Sequence, residues 1–549
     1  MPTNSTSPEI ILATINASYQ HCSFGLRYLY ANMKDLQNRT RMIEYTIHQN
    51  PRTICEEILK LEPKIVGFGV YIWNAEETLR VISILKKVAP HIQIILGGPE
   101  ISYETEQQRL YQLCDYVICG EADFAFPKLC HEILAELDAV VPATFSGRQK
   151  LITQTIPAIQ DIQLPYSLYS DEDIANRVIY VEASRGCPYK CEYCLSSLDK
   201  SVRSFELNHF LQQMDELLQR GVRQFKFVDR TFNLSISSST QILEFFLKHI
   251  HLGLFLHFEM VPDRLPDELK VLIEKFPVGS LQFEIGIQTL SPAVAQNISR
   301  RNDLKKAKAN FEYLKSHHVH THADLIVGLP GETMESFGQG FDQLLSWNPD
   351  EVQVGILKRL KGTPIERHEK TFAMVYSDQQ PYEVLSTKDM SFAQIQFMQK
   401  FAKFWDLFSN SGKFAAMMQL LFQNTHSSFQ SFTKFVLYLE TQFSKTYAIH
   451  QDRLLEAFFN YLISDLSLEK KLVLETMAKD IALLHPKGHV PQFLKTFFKG
   501  DPHLEQIYLN KYKDQNRKST QNGLDLMIMP ERQRMHMKNF NINSPDTPS

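Results

Sequence analysis

Short apolar runs that alternate with amphipathic helical stretches constrain this chain more than any other feature, and they come in two series. In the first, runs at 10–13, 65–70, 92–96 and 116–119 are followed by helical patterns at 22–34, 75–88, 104–113 and 122–135. Such alternation predicts a parallel, doubly wound sheet covered on both faces, a Rossmann-like α/β domain over residues 1–140. The second series has runs at 177–184, 224–229, 254–260, 281–287, 322–327 and 351–356, with helical patterns at 204–219, 236–249, 265–275, 291–298, 303–317 and 333–346. Six repeats in under 200 residues predict a partial (β/α)6 barrel of TIM type over 176–368, with its functional groups at the carboxyl ends of the strands.

Between the two series, residues 141–175 carry Pro142, Gly147, Pro157 and Pro165 with little periodicity, and read as a linker. After the second series the pattern becomes purely helical. Apolar residues at 392, 395, 398, 401, 404, 405 and 408 form one stripe, which Asn410-Ser411-Gly412 ends, and further stripes run through 429–441, 452–465 and 468–484. Residues 369–510 are therefore expected to be an all-α C-terminal domain whose aromatic and Met side chains fill its core. The polar stretch 511–549 is expected to be a disordered tail.

Charge excludes some partners. With 58 Lys and Arg against 62 Asp and Glu, the net charge of -4 gives no general attraction to nucleic acid or to an anionic membrane. The first residues lack the pattern of a secretory signal, and no apolar run reaches the roughly 18 residues of a membrane span, so a cytoplasmic protein is expected. Eight cysteines in 549 residues are too few for a disulfide scaffold.

Three of those cysteines, Cys187, Cys191 and Cys194, fall in one loop after the run at 177–184, where a barrel carries its active site. Thiolates are the usual ligands of iron-sulfur clusters, and three of them leave one iron of a 4Fe-4S cluster open to a substrate or cofactor. The alternative is a zinc site, which needs a fourth, distant ligand. A Cys-x3-Cys-x-aromatic-Cys spacing with Tyr193 as the aromatic residue resembles the radical S-adenosylmethionine (SAM) superfamily. The resemblance covers residues 176 to 365 and implies that SAM chelates the open iron and is cleaved reductively to methionine and a 5'-deoxyadenosyl radical. It also implies an electron donor such as flavodoxin or ferredoxin and a small-molecule substrate.

Other strand ends are similar to the superfamily at matching places. Asp229 stands where the family often has a Gly-Gly-Glu stretch that receives the SAM amino group, although the glycines are missing here; its other reading is a capping or turn aspartate. Glu284 and Gln288, on one face of the fourth strand, resemble the segment that contacts the ribose and carboxylate region, and Ile326 stands where the family meets adenine. Glu332 reads either as part of that segment or as a helix-start carboxylate. Glu259, Arg264, Arg300 and Arg301 follow neighbouring strands and read either as partners of a carboxylate or, more plainly for each arginine, as solvated surface charge. His318, His320 and His322 share a strand face, but at the end opposite the expected site.

A doubly wound domain ahead of such a barrel resembles the cobalamin-binding subgroup of the superfamily, and the Gly97-Gly98 turn matches its pattern. A tight strand-to-helix turn is the plainer explanation of the two glycines. The Asp-x-His-x-x-Gly signature is missing, and His21 stands near its place as either a cobalt ligand or a helix-entry residue. The resemblance implies a cobalamin-dependent methyl transfer to an unactivated carbon. Radical cyclisation, oxidation or rearrangement without methyl transfer, and a cobalamin- or SAM-binding sensor without catalysis, are the alternatives.

Overall fold

The computed structural model describes residues 7–139, 149–484, 490–495, 497, 503–504 and 506–507, and divides into two compact units. The first contains residues up to Arg230 together with Lys358–Arg367 and Tyr376–Glu383.

Its core is a six-stranded sheet with the strand order β2-β1-β3-β4-β5-β6. The strands are β1 (Ile10–Asn16), β2 (Thr40–Thr46), β3 (Ile65–Gly69), β4 (Gln93–Gly97), β5 (Tyr116–Cys119) and β6 (Leu151–Thr153), and every pair is parallel. Helices α1 (Phe24–Ala31), α2 (Pro51–Leu59), α3 (Ala75–Val88), α4 (Arg109–Leu113) and α5 (Ala125–Leu137) cover it. Alternation along β1 sends Ile11, Ala13 and Ile15 into a core shared with α2 and α3, and Ile10 and Leu12 into one shared with α1 and α5. Strand order reverses between β1 and β3, the kind of place where open α/β sheets bind ligands.

The periodicity missed two strands. β2 carries Arg41 and Glu44 inside its run, and β6 has only three residues. The described part of the expected linker is therefore structured, because β6 extends the sheet and α6 (Asp171–Asn176) begins with a Ser170–Asp173 capping box. Pro142 and Gly147 lie outside the described residues.

Two strands of the barrel, β7 (Ile179–Val181) and β10 (Gln224–Phe227), pair in parallel in this first unit, with α7 (Leu207–Gln219) between them in sequence. A two-residue antiparallel ladder, β8 (Ser184–Arg185) with β9 (Arg203–Ser204), closes the cysteine loop. The later excursions contribute Lys361 and Tyr382. Lys361 Nζ lies 2.6 Å from the buried Glu100 carboxylate, which also accepts from Tyr382 Oη at 2.7 Å.

The second unit holds β11 (Phe255–Met260), β12 (Leu281–Gln288), β13 (His320–Val327) and β14 (Glu351–Ile356), each parallel to the next. Helices α8 (Ile236–Lys248), α9 (Asp267–Ile273), α10 (Pro292–Asn297), α11 (Leu304–Ser316) and α12 (Met334–Ser346) alternate with them. Beyond the barrel follow α13 (Phe392–Trp405), α14 (Ala415–Phe422), α15 (Ser428–Gln442), α16 (Gln451–Ser464) and α17 (Lys470–Leu484). Their stripes meet in an aromatic core of Phe401, Trp405, Phe408, Phe432, Phe435 and Phe458. α13 ends in a π-turn at Asp406–Asn410, and the Asn410 amide pairs with both backbone groups of Val352 on β14, at 3.1 and 2.9 Å. The architecture is a doubly wound α/β domain, a partial barrel and a helical C-terminal domain. The tail from 511 lies outside the described residues.

Candidate functional site

The cysteine loop is built by backbone constraints. Gly186 has φ +92°, and a Cβ there would stand 2.0 Å from the Ser201 carbonyl oxygen, so only glycine turns the chain from β8 into the loop. Cys187 N donates to Asp199 O at 3.1 Å, and Cys194 N to Cys191 O at 3.1 Å. Cys187 and Cys191 are buried and Cys194 is half-buried. Burial pushes the Cys187 thiol up, and Cys194 and Cys191 in the same loop push the same way. Among the described residues no three His, Cys, Asp or Glu side chains converge as one metal ion would need. A cluster asks for something else, since each thiolate binds a different iron. Tyr193 is half-buried in the loop, and its neighbour Glu192 forms a two-pronged ion pair with Arg367 at 2.7 and 2.6 Å.

Asp229 supports this loop from behind. Its buried carboxyl accepts from Ala183 N (3.2 and 2.9 Å) and Ser184 Oγ (2.6 Å), which fixes the segment between β7 and β8. Burial pushes it up to about 7, although those hydrogen bonds favour the ionised form.

In the second unit, Glu284, Gly286 and Gln288 share the half-buried face of β12, as alternation predicts. The ladder to β13 shifts register between Gly286 and Gln288, and Gln288 has φ +70°, a strained conformation held at the strand's end. Asp324 and Ile326 share the half-buried face of β13.

Two expectations need correction. Arg300 is no solvated surface charge, because its guanidinium donates to the Gly286 carbonyl and lies near Asp324. Glu332 does not cap α12, which Thr333 caps with Ser336; instead it is buried, accepts from Thr289 Oγ1 at 3.0 Å, and burial pushes it up to about 8. Of the three histidines, His318 is exposed, His320 Nε2 pairs with Glu351 at 2.9 Å and His322 Nε2 with Asp324 at 3.2 Å.

The first unit also contains a cleft of about 260 Å³ at the carboxyl ends of β3, β4 and β5. Glycines 67, 69, 97, 98 and 120 line one side and Phe24, Tyr28 and Tyr71 another. The plainer reading holds at Gly98, where a Cβ would stand 2.5 Å from Val70 O and the turn demands glycine; Gly97 and Gly98 both line the cleft. His21 is not among the lining residues; its Nδ1 lies 2.6 Å from Tyr180 Oη. Glu121, at a strand end where the sequence places ligands, lines the cleft, and so do three charged residues that sequence reasoning passed over: Asp123, Glu182 and Arg185. An arginine directly before the Gly186-Cys187 turn was the available signal.

Comparison with known proteins agrees with this layout. A family model described as the B12 binding domain matches residues 10–130, one described as the radical SAM superfamily matches 181–344, and one described as a protein of unknown function (DUF4080) matches 370–545. The cobalamin-dependent radical SAM methyltransferase TokK of Streptomyces tokunonensis is 23% identical over 347 residues, or 56% of this chain and 49% of TokK. The anaerobic magnesium-protoporphyrin IX monomethyl ester cyclase of Rubrivivax gelatinosus is 25% identical over 319 residues, or 54% of this chain and 56% of the cyclase. The chain thus spans about half the length of these curated relatives. The structure of the cobalamin-dependent S-adenosylmethionine radical enzyme OxsB shares the fold, covering 97% of this chain and 83% of its own at a TM-score of 0.57 and 14% identity. The matched domains are those of a 4Fe-4S cluster with SAM and of cobalamin, and the residues fit both: three free thiols on one loop for the first, a glycine-lined cleft for the second. The cysteine loop thus lies within the stretch that matches the radical SAM superfamily model, and the doubly wound domain before it is the stretch that matches the B12 binding domain model.

Proposed function

We propose that this protein cleaves SAM reductively and uses cobalamin to transfer a methyl group to an unactivated carbon of a small-molecule substrate. The observation that carries the reading is that one compact unit holds both the three-cysteine loop and the glycine-walled cleft, with Arg185 lining the cleft two residues before Cys187. When bound, the cluster supplies the electron that breaks the SAM carbon-sulfur bond, and cobalamin supplies the methyl group.

The chain's own residues do the rest. Cys187, Cys191 and Cys194 would hold the cluster, with Tyr193 beside them, and Asp229 holds the approach to that loop. Glu284, Gln288 and Ile326 offer a carboxylate, an amide and an apolar face for the remainder of SAM, and the strained Gln288 is the most constrained of them. Gly97 and Gly98 let cobalamin approach the backbone. All eight cysteines are thiols, and among the described residues no helix is long and apolar enough to cross a membrane. Both fit a reducing cytoplasm that provides a donor such as flavodoxin or ferredoxin.

Anaerobic reconstitution of wild type and Cys191→Ala tests this. Wild type is expected to hold about four irons, retain cobalamin, and release 5'-deoxyadenosine and S-adenosylhomocysteine under a strong reductant with its substrate. The variant should lose iron and all cleavage. Similarity to the cyclase favours a second reading, radical chemistry without methyl transfer, which predicts 5'-deoxyadenosine without S-adenosylhomocysteine. Zinc in place of iron, or intact SAM, would overturn both and leave a binding protein.

A further inference from the structure

The β8–β9 ladder that closes the cysteine loop sets Arg185 opposite Arg203, and both reach one carboxylate, Glu121. Arg185 Nη1 lies 3.0 Å from Glu121 Oε2 and 3.3 Å from Asp123 Oδ2, while its Nε lies 2.8 Å from Glu182 Oε1. Its guanidinium carbon stands 4.3 Å from the centre of the Tyr28 ring. Arg203 grips the other Glu121 oxygen and pairs with Asp199 at 3.0 Å. Asp199 also takes the Cys187 N–H on its carbonyl.

The two guanidiniums therefore bracket the loop at both ends. Side by side on neighbouring strands they would repel, and Glu121 between them removes that cost. Glu121, Asp123, Glu182 and Arg185 also line the cleft, so whatever fills the cleft touches the same groups. A buried charge set of this kind has few alternative arrangements, because displacing one partner leaves the others desolvated and unpaired.

We propose that Glu121, Arg185 and Arg203 are positioning residues that couple the two cofactor sites, so that filling the cleft fixes the geometry of the cysteine loop. The inference rests on the proposed function, with cobalamin in the cleft and the cluster on the loop. A ligand that orders Glu121 orders both ends of the loop at once, through one carboxylate and two guanidiniums.

The test uses the full chain, reconstituted anaerobically with isotopically enriched iron, and the Mössbauer spectrum of the cluster with and without hydroxocobalamin; this readout sees iron alone. In wild type, cobalamin is expected to change the cluster's spectral parameters. Glu121→Gln is expected to keep about four irons, bind cobalamin about 10- to 100-fold more weakly, and show no spectral change even at saturating cobalamin. Arg203→Lys, which keeps a cation on Glu121, should retain the response. If Glu121→Gln fails to fold, judged by far-ultraviolet circular dichroism, Arg203→Gln takes its place with the same expectation. A wild-type spectrum indifferent to cobalamin with both cofactors at full occupancy overturns the coupling and leaves the proposed function standing, as does a Glu121→Gln response equal to wild type. Failure of wild type to bind cobalamin or iron overturns the proposed function, and the coupling with it.

Discussion

Glu332 hides a carboxyl that is protonated in the fold. Its ordinary value is 4.5 and burial pushes it up to about 8, with Thr289 as the hydrogen-bond donor to one oxygen and, among the described residues, none to the other. Between those values the folded chain holds a proton that the unfolded chain has released, so this group's contribution to stability falls as pH rises from about 4.5 to about 8 and is least above that. Glu332→Gln has no charge to bury. Its thermal midpoint is expected to exceed that of wild type at pH 8.5, with the gap closing towards pH 5, and paired melts at both values check it. Such a residue is hard to read from sequence, where a carboxylate before a helix reads as a dipole partner; its burial depends on Thr289, 43 positions away. The cysteines were legible because a cluster needs thiols at close, fixed spacing. Arg300 was not, because it donates to a backbone carbonyl, that of Gly286, which no side-chain pattern in the sequence marks.

At the scale of elements, the cysteine loop depends on its entry turn. Alanine at Gly186 would take a left-handed conformation that costs about 1–3 kcal/mol, and its Cβ would meet the Ser201 carbonyl. Gly186→Ala is therefore expected to reduce reconstituted iron below half of the wild-type content while the helical circular dichroism signal persists; iron assay against protein concentration measures it. Strands β1, β3, β4 and β5 were legible because both of their faces are buried, which leaves nearly continuous apolar runs. β2 was not. Its Glu44 would break an isolated strand pattern, yet in the fold that carboxylate is paired with Arg27 at 2.7 Å and Arg177 at 2.8 Å. Partners 17 and 133 positions away leave no local trace.

For the molecule as a whole, the cleft predicts ligand-linked stability. If cobalamin binds the folded first unit alone, hydroxocobalamin at 100 times its dissociation constant adds about 2.7 kcal/mol to the unfolding free energy. The melting transition of the first unit should rise accordingly, and calorimetry with and without cobalamin checks it. The order of domains was legible from the two series of periodicities. Membership of the first unit was not, because Lys361 and Tyr382 return to Glu100 from 261 and 282 positions away. That return bears on how the protein is made. Glu100 emerges from the ribosome early, and its cation follows only after the whole barrel has been translated. At about 5–20 residues per second, the nascent B12-binding domain waits some tens of seconds, roughly, for Lys361 and Tyr382. During that interval it is a candidate for chaperone protection, and vectorial synthesis leaves the cleft's domain unfinished until translation has moved well beyond it.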